Sequence, residues 1–190
     1  MSGGANKGAY TAGVIHGLSH LLNGTDGDYD VVSGVSAGSL NAAGMAMWPL
    51  GKPKEMADWL LNFARNLNQG MVFQMWPGGL EQGLLDESGI VDSTPLLNML
   101  TETMGILGGI VQRKIVVAAV DVETGEYVTF TEQNSSPSEL PQRCVASSSI
   151  PFAFPHQNIN GRIFMDGGTV WNTNVVSAIE RCREQVDDDS

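Results

Sequence analysis

The spacing of hydrophobic and polar positions changes repeatedly along the chain, and each change predicts an element. Residues 9–22 read as a helix, with Gly8, Gly13 and Gly17 permitting close packing on a sheet. Residues 29–33 form a short apolar stretch that reads as a buried strand, and residues 37–47 read as a small-residue helix. Trp59, Leu60, Phe63 and Leu67 recur at helical spacing within a third helix over about 54–68. Residues 69–84, rich in Gly, Met and Trp, read as irregular. Ser93-Thr94-Pro95 opens a helix that continues to about Met104. Residues 114–120 form a strongly apolar strand, and Thr124-Gly125 turns it back into residues 126–131. A helix from about Ser138 runs toward Ser147 and stops before Pro151. Asn160-Gly161 makes a hairpin turn into residues 162–165, and a last helix spans about 175–185. Strands alternating with helices predict an α/β layered fold with a largely parallel sheet.

Length and charge narrow the possibilities. No repeat or linker interrupts the 190 residues, so one domain over residues 1–190 is expected. No apolar run is long enough to span a membrane, and no signal peptide is visible. A formal net charge of -11 argues against nucleic acid as a partner and against electrostatic docking on anionic lipid. Part of that charge is the Asp187-Asp188-Asp189 run, which reads as a solvated tail. Cys144 and Cys182 read as separate thiols and provide neither a disulfide framework nor a metal site. The sequons at Asn23-Gly24-Thr25 and Asn134-Ser135-Ser136 keep a secretory route open beside a soluble or peripheral one.

Candidate chemistry begins at Gly34-Val35-Ser36-Ala37-Gly38. It sits between the predicted strand and the small-residue helix, the context in which the serine of G-x-S-x-G becomes a nucleophile. The two glycines remove side chains where strand and helix converge, and the helix N-terminus favours negative charge beside Ser36. In a chain with 23 glycines the bare pattern also arises by chance. Asp166-Gly167-Gly168 follows a second apolar strand; a plain Asp-Gly turn is the competing explanation. Gly3-Gly4-Ala5-Asn6-Lys7-Gly8 precedes a helix and points backbone N–H groups one way, as an anion site does. Neither the phosphate-loop nor the dinucleotide pattern fits it, because Ala9 follows Lys7-Gly8 and the glycine spacing is wrong.

Together these blocks resemble the patatin-like phospholipase family: a glycine-rich oxyanion loop ending in Lys7-Gly8, the Gly34–Gly38 elbow, and Asp166-Gly167-Gly168. Ala146-Ser147-Ser148-Ser149-Ile150-Pro151 with Phe154-Pro155, and the Asn174-Val175 opening of the last helix, match as well. The resemblance covers nearly the whole chain in order. It implies a three-layer α/β sandwich and a lipid acyl hydrolase of lipid catabolism that needs no cofactor or metal. The substrate would be a phospholipid or acylglycerol, met at a membrane or lipid-droplet surface. Two departures stand out. Ala5 replaces the third loop glycine, tolerable if its backbone is not left-handed. The family also places an apolar strand before the loop and another after the last helix, so the chain is expected to be truncated at both ends.

The resemblance implies a Ser–Asp dyad: Ser36 Oγ attacks the ester, Asp166 takes its proton, and the N–H groups of Gly3, Gly4 and Ala5 hold the oxyanion. Lys7 is expected to anchor the loop or meet a head group. A Ser–acid–His triad remains an alternative, with His156, the one histidine after Ser36, and Asp121 as its acid. Residues 70–80 read either as core packing or as an apolar lid. An inactive acyl-binding remnant is the non-enzymatic alternative.

Overall fold

The computed structural model describes residues 1–24 and 26–184. Thr25 of the first sequon, the Asp187–Asp189 run and the expected helix end at Gln185 lie outside them. The helices are α1 (Gly8–Leu21), α2 (Ala37–Ala46), α3 (Pro53–Asn66), α4 (Gln69–Val72), α5 (Gly79–Leu85), α6 (Thr94–Ile106), α7 (Leu140–Ser147) and α8 (Val175–Arg183). The strands are β1 (Val31–Val35), β2 (Lys114–Asp121), β3 (Tyr127–Thr131), β4 (Gln157–Ile159) and β5 (Arg162–Asp166).

The expected α/β layering is present, built on a mixed sheet that does not close. β1, β2 and β4 point one way and β3 and β5 the other, because two of the connections are hairpins. β2 is the axis of the sheet. Ile115 to Asp121 are all buried, as a run apolar on both faces requires. One face, through Val32, Ile115, Val117 and Ala119, packs in a single core with Ala42 and Met45 of α2, Leu60 of α3, Leu100 of α6 and Val145 of α7. Ser33, out of phase with Val32, donates its hydroxyl to Asn174 O at the start of α8, which covers the other face.

Register sets up the site. β1 lies along the first part of β2, pairing Val31 with Lys114 through Val35 with Ala118. β5 lies antiparallel along the last part, pairing Asp166 with Ala119. The two strands therefore run toward each other along the same edge of β2, and their C-terminal ends meet beside Ala118 and Ala119. β3 takes the other edge.

Residues 69–84 are not wholly irregular. They hold α4 and α5, and Gln74 pairs with Asp92 in an isolated bridge. These helices are only four and seven residues long, too short for a periodicity to declare itself. β4 was also illegible as a strand, since its three residues alternate only once. Both cysteines are free, Cys144 buried and Cys182 exposed.

Candidate active site

Ser36 joins β1 to α2 with φ 53° and ψ -129°, a positive φ that a non-glycine residue adopts only when its surroundings enforce it. The enforcing contacts are visible. A Cβ at Gly34 would collide with the Gly38 carbonyl, so the strand and helix converge only because Gly34 is glycine. One at Gly38 would collide with the Met1 carbonyl, so the N-terminal segment packs against the turn only because Gly38 is glycine. Ser36 N donates to Ser147 Oγ at 2.9 Å, and Ser147 Oγ donates onward to Ala118 O at 2.6 Å. Ser39 caps the turn from within, donating its N–H and its hydroxyl to Ser36 O at 2.8 and 2.6 Å. Ser36 is 5% exposed.

Asp166 arrives from the opposite direction at the end of β5 and is 4% exposed. Its N–H donates to Ser149 O at 2.8 Å, and its Oδ1 accepts from Gly168 N at 2.7 Å. A Cβ at Gly167 would strike the Ala118 carbonyl, so this turn too is pressed onto β2. Burial raises the Asp166 pKa above the ordinary aspartate range; hydrogen bonds from the Ser36 hydroxyl and Gly168 N–H pull against that rise. The structure thus brings Ser36 and Asp166 together. The Ala146–Pro151 block supplies the physical link, with Ser147 holding one residue and Ser149 the other.

The glycine loop closes the site from the N-terminal side. Gly3 abuts Ser36 so closely that a Cβ there would lie 2.7 Å from Ser36 Cβ. Its N–H, however, donates to Asn172 Oδ1 at 2.9 Å. Of the three donors expected for an oxyanion, Gly3 is therefore engaged elsewhere. Gly4 and Ala5 N–H groups have no acceptor among the described residues. Asn172 could not have been found from the sequence, as nothing in its local pattern marks it. Ala5 also fails the condition set for it: its φ is 49°, left-handed, so the methyl adds strain of about 1–2 kcal/mol that glycine would avoid. The residue is held there by the 3-10 turn over Ala5–Lys7 and by Asn41, whose Nδ2 donates to Gly8 O at 3.0 Å. Lys7 is exposed, and no hydrogen bond or ion pair joins its side chain to Ser36 or Asp166.

A cavity of about 610 Å³ opens beside Ser36. Leu40, Val72, Phe73, Ile150 and Phe154 line it, and Ala5 and Asn6 bring the loop to its wall. Phe73 and Phe154 meet edge to face at 5.9 Å. The 70–80 segment therefore divides. Phe73 faces the cavity, whereas the Trp76 indole donates to Gly89 O at 2.9 Å and fastens the segment down.

Asp121 is unavailable as the acid of a triad. Its carboxylate receives Thr124 N, Glu123 N and Arg162 Nε, the last at 2.6 Å, and these bonds, Thr124 foremost, hold its pKa down to about 2. It shapes the β2–β3 turn. His156 contributes its backbone N–H to Ser88 Oγ, and its ring has no bond to Asp121. On the far side of the dyad, Tyr127 has its pKa pushed up to about 12, by burial first and then by the charge of Asp166. The Tyr127 hydroxyl donates to Trp171 O at 3.0 Å.

Residues 1–179 match the family model described as Patatin-like phospholipase. A comparison with curated proteins found no match. With 179 of 190 residues inside the match, the chain belongs to the patatin-like phospholipase family.

Proposed function

We propose that this protein is a lipid acyl hydrolase that cleaves fatty-acyl esters of phospholipids or acylglycerols through Ser36 and Asp166. Membership of a phospholipase family gives the reaction class, hydrolysis of lipid esters. The observation that carries the finer reading is the head-on meeting of β1 and β5 on one edge of β2, which sets a strained serine against a desolvated carboxylate.

In the first step Ser36 Oγ forms a bond to the ester carbonyl carbon while its proton passes to Asp166. The carbonyl oxygen gains the negative charge and is met by the Gly4 and Ala5 N–H groups. Collapse breaks the bond to the alcohol oxygen, which leaves with the proton from Asp166. Water then attacks the acyl-enzyme, Asp166 takes the proton of the water, and the fatty acid departs as Ser36 regains its hydrogen. An exposed carboxylate is a weak base; burial at Asp166 shifts its pKa upward, in the direction this step requires. The cavity beside Ser36, lined by Leu40, Val72, Phe73 and Ile150, suits an acyl chain. With a net charge of -11, contact with a lipid surface would be apolar.

Fatty-acid release from phospholipid and acylglycerol substrates tests this reading. Asp166→Asn should lower turnover by at least about 10²-fold, the usual contribution of a general base. His156→Ala should leave most activity intact. The opposite pattern would overturn the dyad.

A further inference from the structure

Outside the ester site, His16 and His20 stand four residues apart on α1 and face Asp58 on α3. Their rings stack with centroids 4.3 Å apart. Both Nε2 atoms converge on one oxygen, Asp58 Oδ1, at 2.9 Å from His16 and 3.4 Å from His20. The other side of His20 decides what this means. His20 Nδ1 lies 3.0 Å from the His16 carbonyl, which only accepts, so Nδ1 carries the hydrogen. In the neutral ring that leaves Nε2 as a bare lone pair aimed at a carboxylate oxygen. Two lone pairs facing each other repel unless a proton or a metal ion sits between them.

The geometry points to a binding site for a divalent transition-metal ion of the zinc class, held by His16 Nε2, His20 Nε2 and an Asp58 carboxylate oxygen. A tetrahedral zinc ion with bonds of about 2.0–2.1 Å sets its ligand atoms roughly 3.3 Å apart. The observed 2.9 and 3.4 Å bracket that value, and all the ligand atoms lie within 4.8 Å of one another. The Nδ1–H to carbonyl bond is the kind of outer contact that orients a metal-bound imidazole. Two imidazoles with a carboxylate favour zinc, nickel or copper over calcium or magnesium. All three side chains reach solvent, so water takes the fourth position. The ion ties α1, the helix that follows the glycine loop, to α3.

Calorimetric titration of zinc into chelator-stripped protein carrying no histidine tag tests the site. One equivalent should bind, and the melting temperature should rise with zinc. Asp58→Asn and His20→Ala should each weaken binding by more than about tenfold. Cys182→Ser, which removes the exposed thiol, should not change it. Cobalt(II) on the unmodified protein should give visible d–d absorption without a thiolate charge-transfer band, a readout that needs no variant to fold. Absence of saturable binding, or binding that survives both Asp58→Asn and His20→Ala, would overturn the proposal and leave the cluster an ordinary ion pair.

Discussion

Asp166 is held at the site against its own preference for water. Burial favours its neutral form, so its pKa in the folded chain lies above that in the unfolded chain. Between those two values the folded state binds more protons, and stability therefore falls as pH rises through that window. Above the folded-state pKa the full penalty is present. Asp166→Asn removes it and should raise the melting temperature at neutral pH while flattening the pH dependence in the acid range. Thermal melts across pH check this. A variant less stable than the parent at neutral pH would mean that the carboxylate is a net structural asset. Ser36 and Ala5 carry a related tension, since both sit at positive φ beside the same cavity.

At the scale of elements, the site depends on α7 as much as on the strands. Ser147 Oγ accepts from Ser36 N and donates to Ala118 O, so one buried hydroxyl fixes the elbow to β2. Ser147→Ala leaves both backbone groups unpaired, at a cost of about 1–3 kcal/mol. Urea unfolding should show that loss, and ester hydrolysis should fall with it as Ser36 loses its enforced backbone angle. Most elements were legible because their periods are strong: α3 by its helical apolar spacing, β2 by its unbroken apolar run, β5 by the Asn160-Gly161 turn before it. The Ser36 elbow and Asp166 were legible because glycines at 34, 38 and 167 mark where backbones press together. What was not legible is tertiary. Asn172 reaches Gly3 across 169 positions, and Ser147 reaches Ser36 across 111, distances at which no local pattern carries information. The left-handed Ala5 was hidden for the opposite reason: alanine ordinarily argues against that conformation.

For the whole molecule, charge and exposed apolar surface act together. Among the described residues no helix is long and apolar enough to cross a membrane. Phe152 is 85% exposed at φ 67°, in the segment whose Ile150, Ala153 and Phe154 line the cavity beside Ser36. A large apolar side chain held out in a strained conformation beside an acyl-sized cavity suits contact with lipid. Association with zwitterionic vesicles should therefore be insensitive to salt and weakened by Phe152→Ser, measured by co-flotation; unchanged binding would remove Phe152 from the contact. Activation of Ser36 by Asp166 is tested most directly by labelling with a fluorophosphonate, read by intact mass and peptide mapping. The prediction is one adduct, on Ser36, forming readily on the parent chain and strongly slowed in folded Asp166→Asn. An adduct elsewhere, or labelling of Ser36 at the same rate without Asp166, would contradict it.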